Sequence, residues 1–327
     1  MKNFSIVIIT ADRHERLLNC LDKLKYFEVY KEAEVVVVDA SKEFFKLNYD
    51  FVKQIRVLPQ HKGFSQQRNI GVKNSSYEYI VFIDDDVEIT DRWFDEFVKK
   101  AQKKLLENKE IFGAMGAVFP KEMGFISFIT GVLGHPGGGF KLHAYSKGKD
   151  IFLSQVATCN TVIKKSIIEE LGGFDEANRY GSEDSEFCLR VIEKFGRNRF
   201  LYMPSVFVWH YSPNKIFDYI RWYIRRGISD ADLLLSHKSH LSYFLRTSFL
   251  LKVLFVLTVS LITNIYVFVY VFFMWYLLVL YRARFMFDYF KYYDYKAGSK
   301  VFIFIIYPFF KAISDLSFDF GRLKRIL

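Results

Sequence analysis

Tyr79-Ile80-Val81-Phe82-Ile83-Asp84-Asp85-Asp86-Val87 is an apolar run that ends abruptly in three carboxylates. β-Branched and aromatic residues in so short a run read as a strand buried on both faces. That places the acids at its carboxyl end, where open α/β sheets bind ligands. Three adjacent negative charges repel one another and call for a cation; hard oxygen donors suit a divalent metal shared with a phosphate group. The plainer reading is a solvated acidic turn ahead of a helix opening at Asp91-Arg92-Trp93. This stretch alone leaves the two readings balanced.

Upstream, strand and helix patterns alternate. A first strand, about Phe4 to Ile9, ends at Thr10-Ala11-Asp12-Arg13, and Leu17, Leu21 and Leu24 then mark one helix face. Val35 to Val38 is a second strand ending at Asp39; Ile55 to Leu58 leads on to Lys62-Gly63 and Arg68-Asn69-Ile70-Gly71. This alternation predicts an α/β fold, a doubly wound mixed or parallel sheet flanked by helices. Thr10, Asp12, Asp39 and Asp84 to Asp86 all lie just past strand ends, so one rim would collect them. A single such Asp is usually a cap or turn former, but three converging sites are harder to assign that way. Neither a Gly-x-Gly-x-x-Gly nor a Gly-x-x-x-x-Gly-Lys-Ser/Thr motif is present, which argues against dinucleotide and P-loop chemistry.

Downstream, Trp93, Phe94, Phe97, Val98 and Ala101 give a helix face, and Gly113 to Phe119 a strand. Gly131 to Gly139 is too glycine-rich for a regular element and reads as a lid or a surface connection. Thr158-Cys159-Asn160-Thr161 follows a short strand, and Lys164 to Leu171 is a helix closed by Gly172-Gly173. Past Phe174-Asp175-Glu176 and Arg179-Tyr180-Gly181, Ser182 is a candidate N-cap for a helix from Glu183 to Phe195. Glu183 and Asp184 in its first turn either complement the helix dipole, worth about 0.3–1 kcal/mol, or supply a general base beside a pocket.

The net charge is +10, and 19% of the 327 residues are aromatic. Many basic residues crowd the C-terminal third around an apolar segment, which favours a membrane over a nucleic-acid partner. Val253 to Tyr281 is 29 residues without a charge, long enough to span a bilayer. Lys238, Arg246 and Lys252 precede it, and Arg282, Arg284, Lys291, Lys296 and Lys300 follow. Positive charge at both ends suits a helical hairpin broken near Thr263-Asn264; a single tilted span is the alternative. Val301 to Phe310 is a further apolar run, too short to cross unaided. An amphipathic helix covers about residues 308–327, with Tyr289, Tyr292, Tyr293 and Tyr295 suited to a membrane interface. The expected organisation is a catalytic domain over residues 1–235 and a membrane-associated helical region over 236–327. The first apolar run is too short for a signal-peptide core, so the catalytic part is expected in the cytoplasm. Cys20, Cys159 and Cys188 are scattered and unpaired, consistent with a reduced compartment and no structural zinc.

Taken together, these residues resemble the family 2 glycosyltransferases of the GT-A fold. The resemblance covers about residues 3–230. It rests on the ordered set Thr10-Ala11-Asp12-Arg13, Asp39, Lys62-Gly63, Arg68-Asn69-Ile70-Gly71, Asp84-Asp85-Asp86, Gly172-Gly173-Phe174-Asp175-Glu176, Glu183-Asp184 with Arg190, and Val208-Trp209-His210. It implies inverting transfer of a sugar from a nucleotide-diphosphate donor to an acceptor hydroxyl. Asp12 and Asp39, following Thr10, would contact base and ribose, Arg68 the nucleotide, and Asp85 the ribose. Asp86, supported by Asp84, would bind Mg²⁺ or Mn²⁺, and His210 resembles a histidine that some relatives place near the metal. Asp184 would be the base, with Glu183 second, while Asn160 and the Gly131 to Gly139 segment would shape the acceptor side. The family usually carries Asn at the position of Asp12. The apolar tail adds the expectation of a cell-membrane enzyme acting on a lipid-linked or polysaccharide acceptor. Two alternatives stay open. A haloacid-dehalogenase-like phosphatase also uses an Asp-x-Asp strand end, but on the first strand of its domain. A non-catalytic membrane-anchored sugar-binding protein would be expected to lack Asp86 or Asp184.

Overall fold

The computed structural model describes residues 2–58, 60, 63–121, 124–177, 181–236 and 245–327. Lys62, Arg179, Tyr180 and Lys238 lie outside the described residues. The chain divides into two compact units, Met1–Lys121 with Gly134–Tyr211 and Glu122–Leu133 with Ser212–Leu327.

The strands are β1 (Phe4–Thr10), β2 (Ala33–Asp39), β3 (Val52–Arg56), β4 (Tyr79–Ile83), β5 (Val87–Ile89), β6 (Gly113–Pro120), β7 (Ile151–Leu153), β8 (Asn160–Lys164) and β9 (Phe200–His210). The helices are α1 (His14–Tyr26), α2 (Phe64–Lys73), α3 (Lys100–Glu107), α4 (Phe125–Val132), α5 (Gly139–Ser146), α6 (Lys165–Glu170), α7 (Glu183–Phe195), α8 (Ile216–Ser236), α9 (Phe249–Ile262), α10 (Tyr266–Ala283) and α11 (Ala297–Ile326).

In the first unit the strands form one mixed sheet in the order β3-β2-β1-β4-β8-β6-β9-β5, with β7 on β9. The first four are parallel, as the alternation of apolar runs and helices predicts. β8 then enters antiparallel to both β4 and β6. All five residues of β4 are buried. Val81 and Ile83 enter the main core, whose helical cover includes Leu17, Leu21 and Leu24 of α1. Phe82 instead meets Phe174 edge-on at 5.6 Å. Register then positions the polar ends. Thr10 stands opposite Asp39 across β1 and β2, and Val7 opposite Phe82 across β1 and β4, so Thr10 comes level with Asp85 three residues on.

Of two expectations about connections, the glycine-rich one holds and the cap before α7 needs correction. Gly131 lies in the last turn of α4 and Gly139 opens α5, and the six residues between them, 133–138, form turns, so most of the glycine-rich segment is a non-regular connection as its composition predicts. A Cβ on Gly137, at φ +53°, would stand 2.8 Å from Val118 and 3.0 Å from the Cys159 sulfur. Close packing, which leaves no pattern in the sequence, is what Gly137 serves, and a Cβ on Gly138 would likewise stand 2.5 Å from Leu142. Ser182 sits at the start of α7 with φ 62°, but its side chain makes no capping hydrogen bond.

In the second unit the apolar stretch breaks at residues 263–265 between α9 and α10. Asn264 Oδ1 accepts from the Tyr266 N–H at 2.9 Å, stabilising the turn. Phe249, at the start of α9, packs on Trp275 of α10 at 5.5 Å, so the two helices lie side by side as a hairpin. α11 is one continuous helix that joins the second apolar run to the amphipathic segment. Tyr266–Tyr292 and Ala297–Ile326 are long and apolar enough to cross a membrane. Much of the hairpin's apolar surface is exposed, including Phe255, Ile262, Tyr270 and Phe273.

α8 and α11 meet at backbone distance. A Cβ on Gly227 would lie 1.9 Å from the Phe318 carbonyl oxygen, and one on Gly321 2.1 Å from that of Ile224. Beside this crossing Arg322, 2% exposed, pairs with Asp230 at 2.7 Å and Asp319 at 3.3 Å. Asp319 Oδ2 in turn accepts from the Ser248 hydroxyl and the Leu250 N–H, which fixes the start of α9. Gly227→Ala is expected to lower the thermal midpoint of the protein. Overpacking there costs about 1–3 kcal/mol or more, above the ~1 kcal/mol that Ala gains in helix propensity. An unchanged midpoint in calorimetry would mean that the two helices can part at little cost.

Candidate active site

The turn after β4 brings Asp84, Asp85 and Asp86 together, and the last residue of β9 brings His210. One ligand atom from each of Asp84, Asp86 and His210 lies within 4.8 Å of the others. His210 Nδ1 donates to the Tyr211 carbonyl at 2.7 Å, which turns Nε2 toward Asp84 Oδ2 and Asp86 Oδ1, each at 3.3 Å. Asp86 Oδ1 is buried, makes no hydrogen bond among the described residues, and has the His210 imidazole as its ion-pair partner at 3.3 Å. An imidazole and two carboxylates converging on one buried point are a donor set that fits a divalent cation.

The electrostatics are those of a tight cluster. Burial opposes charge on Asp84, but His210 and Arg68 outweigh it and hold the carboxyl down at about 2. Burial raises Asp85 to about 7 despite the Arg13 guanidinium. Burial also works against a charged His210, yet Asp86 and Asp84 lift its pKa to about 9.

Asp85, at 0% exposure, is given to the protein itself: Thr10 donates to its Oδ2 at 2.7 Å, and Arg13 pairs with Oδ1 at 3.1 Å. Asp86 Oδ2 accepts from Arg13 at 2.9 Å and Arg16 at 3.2 Å. The sequence reading named neither arginine as a site residue. Their signal was spacing: three apart where α1 begins, they share a face directly after a strand end.

Asp12 and Asp39 come together through Ser41. Its N–H donates to Asp39 Oδ1 at 2.9 Å, and its hydroxyl oxygen accepts from the Asp12 N–H at 2.8 Å. Asp12 has φ 59°. Asn and Asp tolerate that left-handed conformation better than other side chains, so the Asp met here in place of the family's usual Asn keeps the turn.

Arg68 is buried and bridges the two halves of the site, bonding Glu183 through Nη1 and Asp84 through Nη2 at 3.2 Å. Burial raises Glu183 to about 7 in spite of Arg68. Asp184, the next residue, is half-buried, and its Oδ1 accepts from the Ser185 N–H at 2.7 Å. The two acids therefore differ in kind: Glu183 is tied inward, Asp184 is partly open.

The remaining motif residues hold this arrangement. Asn69 accepts from the Phe174 N–H at 2.8 Å and donates to the Phe174 carbonyl at 2.9 Å. Gly173, with φ +85°, leaves room for it, since a Cβ there would stand 2.6 Å from Asn69 Oδ1. Arg190 grips Glu186 with two bonds and donates to the carbonyls of Leu171 and Gly173. Asn160 is fully buried between Trp93 and the Ala117 carbonyl, a core role with no surface left for an acceptor.

Residues 5–107 match the family model Glycosyl transferase family 2, and residues 141–287 match Glycosyl transferase family group 2. The chain belongs to glycosyltransferase family 2. This family 2 glycosyltransferase is 27% identical over 206 residues to the O-antigen biosynthesis protein RfbC of Myxococcus xanthus, covering 57% of this chain and 16% of that protein. It is 26% identical over 212 residues to a pre-mycofactocin glycosyltransferase of Mycobacterium tuberculosis, covering 62% of this chain and 43% of the relative. The chain thus spans less than half the length of these curated relatives. Among solved structures it resembles the mannosyltransferase PcManGT from Pyrobaculum calidifontis, in complex with GDP-Man and Mn²⁺. That match has a TM-score of 0.56 at 14% identity, covers 99% of this chain and 87% of that one, and shows the shared GT-A fold.

Proposed function

We propose that this family 2 glycosyltransferase transfers a sugar, with inversion, from a nucleotide-diphosphate donor to an acceptor hydroxyl. The observation that carries the reading is the convergence of Asp84, Asp86 and His210 on one point, with Asp84 joined through Arg68 to the helix start that carries Asp184. Asp86, Asp84 and His210 would hold Mg²⁺ or Mn²⁺, which when bound supplies positive charge to the departing diphosphate. Asp12 and Asp39 bind the nucleoside end. Asp184 receives the acceptor's hydroxyl proton as the oxygen attacks the anomeric carbon from the face opposite the diphosphate, which inverts that centre. Glu183, held by Arg68, positions this helix start. Screening nucleotide sugars for metal-dependent binding, then following transfer and product anomer, tests the reading; retention of configuration would overturn the single displacement.

The acceptor is proposed to be a lipid-linked or cell-surface glycan precursor, with the second unit at the cell membrane and the active site on the cytoplasmic side. The exposed apolar hairpin flanked by cations at both ends supports this. At 14 residues α9 is about 21 Å long, short of the ~30 Å hydrocarbon core, so the hairpin enters and returns. Arg246→Cys and Lys291→Cys, tested in intact cells with an impermeant maleimide, are both expected to resist labelling from outside. Labelling of Lys291→Cys alone would establish a single span instead.

A further inference from the structure

Asp86 is held through one oxygen and left open through the other. Its Oδ2 belongs to the Arg13 and Arg16 guanidinium groups, and Oδ1 turns to His210 and Asp84. A carboxylate held this way offers a metal a single oxygen, and one whose charge is already partly neutralised. Four acids, Asp84, Asp85, Asp86 and Glu183, face Arg13, Arg16, Arg68 and His210. A divalent cation entering so balanced a cluster gains little Coulomb energy on its own.

The three arginines are not equivalent. Arg68 is buried with 6% of its side chain exposed, whereas Arg13 and Arg16 are 39% and 41% exposed and reach the cluster from the start of α1. Arg16 also lies over the Tyr211 ring at 5.0 Å, and the Tyr211 N–H donates to the Asp86 carbonyl at 3.1 Å. It therefore has a second seat beside the first, an aromatic face it can keep on leaving Asp86. A diphosphate is a stronger, bidentate partner for guanidinium than a shared carboxylate oxygen.

We propose that Arg16, acting with Arg13, makes metal binding depend on the diphosphate: the arginine restrains Asp86 until a diphosphate draws it away, and metal and diphosphate then bind as a cooperative pair. This rests on the donor chemistry proposed above and adds a residue and a coupling to it. Arg16 is here a positioning residue, acting on the metal through Asp86.

The test is Mn²⁺ titration of the full chain, with free ion followed by electron paramagnetic resonance, alone and with UDP, GDP, ADP and dTDP in turn. For the parent, one of these nucleotides is expected to tighten Mn²⁺ binding at least about tenfold, the scale of a typical coupling between sites. Arg16→Ala is expected to bind Mn²⁺ alone about two- to fivefold more tightly, the effect of one partly exposed ion pair, with a smaller enhancement by nucleotide. Arg16→Lys keeps the charge and is expected to fall between the two. A purely structural arginine would weaken both ligands and lower the thermal midpoint. Mn²⁺ binding alone that is unchanged or weaker in Arg16→Ala overturns the coupling. A parent protein that binds neither Mn²⁺ nor any nucleoside diphosphate overturns the donor chemistry, and the coupling with it.

Discussion

Asp86→Ala is expected to remove the metal dependence of donor binding and to slow transfer by about 10³-fold or more. A metal on a leaving group is worth several kcal/mol, and each ~1.4 kcal/mol is tenfold in rate. The substitution deletes one of the three groups whose ligand atoms lie within 4.8 Å of one another, so only Asp84 and His210 remain to hold an ion. It also removes the carboxylate partner of Arg16 and one of the two partners of Arg13, leaving the site more positive. Donor binding without metal is therefore expected to persist while metal stimulation disappears. Calorimetry with and without Mn²⁺ separates the two effects, and circular dichroism checks that the fold survives loss of a buried carboxylate. Transfer within tenfold of the parent would remove Asp86 from the metal site.

Asp184→Asn is expected to bind donor and metal as the parent does and to lose about 10²- to 10⁴-fold in kcat, the range for a positioned general base. The amide keeps the size of the side chain and, through its carbonyl oxygen, the bond from the Ser185 N–H. What it cannot do is take a proton. The same change at Glu183 is expected to act differently, because Glu183 is the partner of buried Arg68 and Arg68 also bonds Asp84. Glu183→Gln would show in donor and metal affinity as much as in turnover. If Asp184→Asn keeps the parent's kcat, the base lies elsewhere.

Much of the fold was legible because the buried strands are short, β-branched and followed by acids. The run from Tyr79 to Ile83 announced a central strand, and the acids after it marked that strand's carboxyl end. The order of the polar strand ends was also readable, since parallel pairing aligns Thr10, Asp39 and Asp85 once the register is set. Sequence could not say which acids would be spent on the protein itself. Asp85 reads like its neighbours, but the geometry gives it to Thr10 and Arg13. Arg13 and Arg16 were hidden for a related reason: a basic residue at a helix start is ordinarily solvent-facing, and only the sheet's register shows Asp86 across from it. The glycines between α4 and α5 carry no period at all, because their role is close approach.

The buried Arg322 cluster has a bearing on how the chain is made. Ser248, at the foot of the apolar hairpin, is fixed by Asp319, 71 residues later in the sequence. During synthesis α9 and α10 are thus complete, and exposed to whatever receives them, well before the polar residues that fasten them exist. A nascent chain halted ahead of Asp319 carries the hairpin without its fastening. The order of translation therefore places the making of the hairpin before its fastening to α8 and α11.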